Sequence, residues 1–105
     1  MLADCPAAIA VFGNSEAADT WVEDCSIALS YMQLMATEIG VGSCWCQLHL
    51  RSSSEGDDAE QIARKLLKLP DWERIVGILA LGFPLSTPLP HTLEELCWDK
   101  VYEIE

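Results

Sequence analysis

The sequence predicts a layered domain in which helices cover both faces of a β-sheet. Two continuous apolar segments, 7–12 and 74–83, are typical of strands that are buried on both faces. Between them lie a long helical pattern over 21–39 and a shorter one over 58–67. The length of 105 residues suits one domain. The order of strand, long helix, extended segment, helix, strand and tail therefore indicates an α/β layer arrangement.

The charge balance excludes several classes of partner. The chain carries 17 acidic and 6 basic side chains, a net charge of −11, yet half of its residues are hydrophobic. This apolar content predicts a folded core, because disordered acidic chains lack the apolar residues that offset the entropy of ordering. A nucleic acid or an anionic membrane surface would require clustered cations, so we expect neither as a partner.

The sequence predicts a cytoplasmic protein. The amino terminus lacks the basic region of a signal peptide, and its apolar segment ends at Gly13. No uncharged apolar segment reaches the roughly 20 residues that a bilayer span requires. The five cysteines are an odd number without a regular spacing, which favours reduced thiols over a disulfide framework.

The long helix is predicted to begin at a capping box and to be buried on most sides. Thr20 followed by Glu23 fits the capping box, and Gly40 fits the residue that ends a helix. Past the first turn, the polar residues form one narrow stripe of Ser26, Ser30, Gln33 and Thr37. The remaining circumference is apolar, more than a domain of this size can cover, so a partner subunit is predicted to cover it.

The later elements follow from shorter patterns. After a turn at Gly42, residues 44–50 are predicted to be extended. The helix over 58–67 is predicted to bury Ile62, Ala63, Leu66 and Leu67 and to end before Pro70. Three prolines make the region from residue 84 an extended tail, which cannot join a central strand. A helical turn is expected from Thr92, and an edge strand over 101–104.

Several segments together resemble the nitroreductase family. The sequence LMATEIGVGSCW, residues 34–45, resembles the family pattern LaAxelGlGscW. Residues 67–70 followed by 75–84 resemble its segment lgiP…v.liaLGyP, and residues 90–101 resemble the end of one subgroup. Asp24 fits the acidic residue near the start of the same long helix. The segments occur in the order and spacing of the family across nearly the whole chain.

The resemblance implies an α+β fold, a three-layer α-β-α nitroreductase-like domain of which this chain is the second half. Residues 1–105 would form one domain, the C-terminal portion, with 84–105 as an extended tail. The family's arginine-rich FMN-phosphate motif has no match here, so we expect a fragment or a truncated product. The family also implies an intertwined homodimer through helix 21–39, with FMN reduced by NAD(P)H and reoxidised by nitroaromatic, quinone or other small-molecule acceptors.

The resemblance also implies the cofactor-binding residues. A flavin ring needs a flat pocket and backbone donors near N5 and O4. The segment expected to supply them comprises Gly42, Ser43, Cys44, Trp45, Cys46, Gln47 and Leu48. His91 is the tail residue expected near the phosphate. No catalytic base is expected, because the flavin itself carries out hydride transfer.

The same residues allow other interpretations. The glycine turn could simply end a helix before a buried strand, and His91 could be a solvated side chain. Cys44, Cys46 and His49, completed by Cys97 or His91, could bind a metal, although zinc sites more often use CxxC pairs. The two cysteines are better explained as small buried hydrophobic residues than as a metal or redox pair. A non-catalytic dimerisation module is the alternative function.

Overall fold

Three antiparallel strands and two α-helices make up the fold of residues 2–105, the part of the chain that the computed structural model describes. In chain order the elements are β1 (Ala7–Asn14), α1 (Trp21–Glu38), β2 (Gly42–Gln47), α2 (Ala59–Leu67) and β3 (Glu73–Gly82). Strand β3 lies at the centre of the sheet, between β1 and β2. Both predicted strands, both predicted helices and the predicted extended segment are confirmed, with bounds that differ by a few residues.

Burial is concentrated on the central strand. Ile75 and Leu79 of β3 are fully shielded from solvent, which confirms the prediction of a strand buried on both faces there. The same prediction is wrong for β1, where Ile9 is 41% exposed and Phe12 is 44% exposed. The reason is that β1 lies at the edge of the sheet and pairs with β3 alone within residues 2–105.

Helix α1 contacts all three strands and forms the core with β3. Cys25 and Leu29 of α1 pack against Val76 and Leu79 of β3. The other side of the helix is open within residues 2–105, in agreement with the prediction that the chain alone cannot cover it, and its cover by a partner subunit stays a prediction. This surface, called here the open face of α1, consists of Ile27, Tyr31, Leu34, Met35 and Ile39.

The two ends of α1 are stabilised differently. At the C-terminal end, Gly40 has a φ of +76°, and the Val41 N–H donates to the Ala36 carbonyl at 2.8 Å. These contacts form a Schellman motif and confirm that Gly40 ends the helix. The predicted capping box is wrong, because Thr20 has a φ of −92° and a ψ of 20° and its hydroxyl makes no cap bond. The hydroxyl donates instead to the carboxylate of Asp24.

Helix α2 buries a different face from the one that its apolar pattern predicts. Ala63 is buried as predicted, but the other buried residues are Glu60 and Arg64, while Leu66 is 77% exposed. Arg64 can be buried because its guanidinium donates to the backbone carbonyls of Glu73 and Pro70. The partners of Glu60 are described with the site. Polar side chains with complete hydrogen bonding therefore replace the predicted apolar contact.

The region after β3 is an exposed tail. A short 3₁₀ turn over Leu93–Glu95 confirms the predicted helical turn, and a second one spans Trp98–Lys100. The predicted edge strand over 101–104 is wrong, because these residues are exposed and pair with no strand. Within residues 2–105, no helix combines the length and apolar character needed to cross a bilayer.

Candidate functional site

The outer edge of β2 presents backbone donors that face away from the sheet. Within residues 2–105, β2 pairs with β3 alone. The Leu48 N–H donates to the Val76 carbonyl at 2.9 Å, in register with the rest of the ladder. Hydrogen-bonded pairs alternate along an antiparallel ladder, so every second N–H of β2 points outward. These outward N–H groups belong to Ser43, Trp45 and Gln47.

Two open cavities meet at the start of β2. The first has a volume of about 410 Å³, and its lining includes Cys5, Gly42, Ser43, Cys44, Gly82 and Phe83. The second has a volume of about 560 Å³, and its lining includes Gln33, Thr37, Gly40, Gly42, Ser43 and Pro84. Gly42 and Ser43 therefore face both cavities. A Cβ atom at Gly42 would lie 3.1 Å from the Gly82 carbonyl, so glycine allows the two strands to approach closely here.

Trp45 is held by its neighbours and lies outside the lining of both cavities. Its indole packs against the core, and its Nε1–H donates to Oε1 of Gln47 at 2.9 Å. The Gln47 amide in turn donates to the His49 carbonyl at 3.1 Å. A Cβ atom at Gly77 would lie 2.8 Å from Nε1 of Trp45, so Gly77 makes room for the indole. The structure thus places Gly42, Ser43 and Cys44 at the cavities, whereas the Trp45 side chain packs against the hydrophobic core.

A buried carboxylate lies where β2 ends. Glu60 is 3% exposed, and its Oε1 accepts hydrogen bonds from Nη2 of Arg74 at 2.9 Å and lies 3.1 Å from Nδ1 of His49. Nε of Arg74 donates to the other oxygen, Oε2. Trp21 closes the group: Cζ of Arg74 lies 4.9 Å from its ring centroid, and the His49 ring meets it edge-on at 5.0 Å. We call these four residues the Glu60 cluster.

The electrostatics of the Glu60 cluster favour its charged form. Burial raises the pKa of Glu60, but hydrogen bonds from Arg74, His49 and the Ile75 backbone outweigh it, and the net pKa is lowered. The same hydrogen bond to Glu60 raises the pKa of Arg74. Glu60 and Arg74 therefore form a charged pair beside the end of β2, and the buried carboxylate of Glu60 has hydrogen-bond partners on both of its oxygens.

The residues that would be expected to hold a phosphate are not at the cavities. His91 lies in the exposed tail, where Nδ1 contacts the Glu95 carboxylate at 2.7 Å, and it is absent from the lining of both cavities. No Lys or Arg is among the described residues that line either cavity. The hydrogen bond from His91 lowers the pKa of Glu95. The structure therefore does not bring His91 and the Gly42 turn together.

The cysteines form no metal-binding group in the described part of the chain. Within residues 2–105, no three His, Cys, Asp or Glu side chains lie close enough together to hold a metal ion. His49, a candidate ligand, contacts Glu60 instead. Burial, followed by the neighbouring Cys44 thiol, raises the pKa of Cys46. A raised pKa disfavours the thiolate that metal binding or redox exchange would need.

Sequence reasoning missed the Glu60 cluster. Its members come from four separate elements or turns, and Glu60 and Arg74 are 14 residues apart. Glu60 and Arg64 flank Ala63 on α2, four residues apart on one helical face, and both are buried. No local signal was available, because Glu and Arg four residues apart on a helix ordinarily pair on its exposed surface, whereas here each finds its partners elsewhere in the fold.

The chain belongs to the nitroreductase family: residues 1–83 match the sequence profile described as "Nitroreductase family". A protein of Archaeoglobus fulgidus, named "Putative NADH dehydrogenase/NAD(P)H nitroreductase", is 31% identical over 88 residues, which are 80% of this chain and 48% of that protein. A protein of the same name from Methanothermobacter thermautotrophicus is 32% identical over 84% of this chain and 45% of its own length. The chain thus spans about half the length of these relatives.

Solved structures show the same fold. An FMN-dependent nitroreductase from Clostridium difficile R20291 superimposes with a TM-score of 0.88 at 33% identity, covering 97% of this chain and 59% of that one. A structure from Parabacteroides distasonis, with the same name as the archaeal relatives, gives a TM-score of 0.81 at 25% identity, covering 95% and 56%. The fold is therefore the predicted α+β nitroreductase fold, present in part.

Proposed function

We propose that this chain provides the flavin-ring side of an FMN site in a nitroreductase-type oxidoreductase. When bound, FMN would supply the hydride chemistry that moves electrons from NAD(P)H to a nitro- or quinone-type acceptor. The observation that carries the proposal is the outward row of N–H groups on β2, at Ser43, Trp45 and Gln47. The family match over residues 1–83 and the FMN-dependent relative support it.

The β2 edge fits the ring of a flavin. Outward backbone N–H groups are fixed donors, and fixed donors stabilise negative charge on a ring nitrogen or carbonyl at little reorganisation cost. Ser43 and Gly42 add an open approach, because both line the two cavities at the start of the strand. The residues expected from the sequence, Gly42 to Leu48, therefore remain the proposed ring-binding segment.

The residues of this chain do not fit the phosphate of FMN. Arg74 is engaged with Glu60, and the buried Arg64 with backbone carbonyls, so we assign neither cation to the phosphate. With a net charge of −11, the surface would repel a phosphate group. We propose that the cations which hold the phosphate lie outside the described residues. A phosphate contact of His91 stays an expectation from the sequence.

A homodimer through α1 is part of the proposal. The open face of α1 exposes Tyr31 at 70% and Leu34 at 67%, in a row with three other large apolar side chains. Beside it, a small cavity of about 220 Å³ is lined by Ile9, Met32, Met35, Ile39, Leu79 and Leu81. Exposed apolar patches of this kind mark association surfaces. We propose that a second copy of the chain covers this face.

We also propose that the protein works in the cytoplasm.

The ring contact is tested by removing one outward N–H without breaking the sheet. Gln47→Pro removes the N–H of Gln47, and proline is tolerated where the N–H points away from the ladder. Gln47→Ala is the matched control, since it removes the side chain and keeps the N–H. Flavin fluorescence titration is expected to show weaker FMN binding for Gln47→Pro, by about tenfold, than for Gln47→Ala. Equal affinities would contradict the assignment of Gln47 as a ring donor.

A non-catalytic dimerisation module is the second candidate function. The absence of Lys and Arg from the described lining of both cavities favours it, as does the apolar open face of α1. The two candidates differ in one observable property. A protein that dimerises and stays colourless after dialysis against excess FMN is the module, whereas a yellow protein supports the flavin site.

A further inference from the structure

The turn that ends β2 holds a strained residue. Leu50 has a φ of +61°, the left-handed region that L side chains rarely adopt, and its side chain is 86% exposed. At this exposure the side chain has little packing that could hold the conformation. The constraint must come from the neighbouring backbone, where the Arg51 N–H donates to the Leu48 carbonyl at 3.1 Å.

Two contacts tie this turn to helix α2. Nδ1 of His49 lies 3.1 Å from the buried carboxylate of Glu60, and the Ala59 N–H donates to the Arg51 carbonyl at 2.9 Å. Glu60 is itself fixed by Arg74. The His49 side chain therefore cannot move without disrupting a buried, fully hydrogen-bonded carboxylate, which is costly because the charge would lose a partner.

A chain of hydrogen bonds continues from the turn to the outer edge of β2. The His49 carbonyl accepts from the Gln47 amide at 3.1 Å, and the Gln47 amide oxygen accepts from the indole of Trp45 at 2.9 Å. Each bond favours one orientation of the next group, since turning the Gln47 amide over would break both of its hydrogen bonds. Trp45 and Gln47 both contribute outward N–H groups to this edge.

We propose that Glu60 is a positioning residue for the outer edge of β2, acting through His49 and Gln47 on Trp45. The ion pair between Glu60 of α2 and Arg74 of β3 holds the Leu48–Arg51 turn in its strained form. The turn in turn orients the side chains of Gln47 and Trp45. The consequence for flavin binding rests on the proposed function, whereas the coupling between Glu60 and Trp45 does not.

Indole N–H resonances in ¹⁵N-correlated NMR spectra of the full chain test this coupling directly. Glu60→Gln keeps the shape of the side chain and removes its charge. The Trp45 indole N–H, assigned with Trp45→Phe, is expected to exchange with solvent about fivefold faster, the effect of weakening one ordinary hydrogen bond. The indole of Trp98, which donates to the Leu93 carbonyl in the tail, is the internal reference and should not change.

The indole of Trp21 separates positioning from simple packing. Trp21 touches the Glu60 cluster, so its resonance should shift in Glu60→Gln whether or not the edge of β2 is coupled. A shift at Trp21 with an unchanged Trp45 would overturn the proposal. Glu55→Gln, the same chemical change at an exposed position in the preceding loop, should leave both indoles unchanged.

A second variant keeps the test decisive if Glu60→Gln does not fold. His49→Phe retains a ring against Trp21 and the pair of Glu60 with Arg74, and it removes only the Nδ1 contact. Faster Trp45 exchange is again expected, and an unchanged rate would overturn the proposal. In FMN titrations, Glu60→Gln should bind about fivefold more weakly than Glu55→Gln. If the wild-type chain binds no FMN, the proposed function fails, while the indole result still decides the coupling.

Discussion

Arg74 donates two hydrogen bonds to the carboxylate of Glu60, and this pair joins the central strand to helix α2. One bond runs from Nη2 to Oε1 at 2.9 Å and the other from Nε to Oε2. The Glu60 side chain is 4% exposed, whereas the Arg74 side chain is 33% exposed. If Arg74 is removed, the buried carboxylate of Glu60 therefore cannot gain water in its place.

Removing Arg74 should destabilise the domain strongly. Arg74→Met keeps most of the aliphatic stem and leaves Glu60 buried with fewer donors, so we expect a loss of about 3 kcal/mol in the free energy of unfolding. Urea denaturation followed by circular dichroism measures this loss. Arg51→Met, at an exposed arginine, is the control and should change stability by less than about 0.5 kcal/mol. Equal losses in Arg74→Met and Arg51→Met would mean that the pair of Arg74 with Glu60 stabilises the fold no more than an exposed arginine does.

Acidification should destabilise the domain through Glu60. Hydrogen bonds keep the pKa of folded Glu60 below that of an unfolded glutamate, which is about 4.3. The stabilisation is therefore present above pH ~4.3 and is lost as the pH falls through the lower folded pKa. Urea midpoints of the wild type and Glu60→Gln, measured from about pH 6 to about pH 3, isolate this contribution. The difference between them should shrink at low pH, and a constant difference would show that Glu60 does not titrate as described.

A side chain at Gly77 should displace Trp45. The Cβ of Gly77→Ala would lie 2.8 Å from Nε1 of Trp45 and 2.9 Å from the Cys46 carbonyl, so we expect a destabilisation of about 2 kcal/mol. Gly82→Ala is the matched control on the same strand, because its Cβ meets Pro6 at the longer distance of 3.3 Å. Thermal unfolding should rank Gly77→Ala below Gly82→Ala, and the reverse order would contradict the packing of Trp45 against Gly77.

A charge on the open face of α1 should prevent self-association. Leu34→Glu places a carboxylate at the centre of the surface that the proposed dimer buries, so the dimer should weaken by at least about tenfold in sedimentation equilibrium. Leu66→Glu on α2 is the control, because Leu66 is similarly exposed but lies away from that surface. Dimers that persist in Leu34→Glu and dissociate in Leu66→Glu would place the interface on α2.

The order and type of the elements could be predicted from the sequence, because apolar periodicity and glycine signals are local. The Schellman motif at Gly40 and the buried strand β3 are examples. The burial of β1 could not be predicted, since an apolar run such as 7–12 looks the same in a central strand and in an edge strand. The buried face of α2 was predicted wrongly because Glu60 and Arg64 find partners that are distant in sequence.

The candidate site was predicted in part. The Gly42 turn was expected from the family resemblance, and the structure places it at two cavities. The outward direction of the Ser43, Trp45 and Gln47 N–H groups needed the register of β2 on β3, which no local pattern specifies. The contact of His49 with Glu60 could not be predicted either, because the two residues lie 11 positions apart and no local pattern brings them together.

Comparison of FMN with riboflavin tests the central claim most directly. The wild-type chain is proposed to contact the flavin ring and to lack cations for the phosphate, so both flavins should bind saturably, with FMN no tighter than riboflavin. Fluorescence titrations at low and high salt measure the two dissociation constants, and the negative net charge should make FMN bind more tightly as salt is added. Binding of FMN at least about tenfold tighter than riboflavin would reveal a phosphate site in this chain, and no saturable binding of either flavin would contradict the ring site.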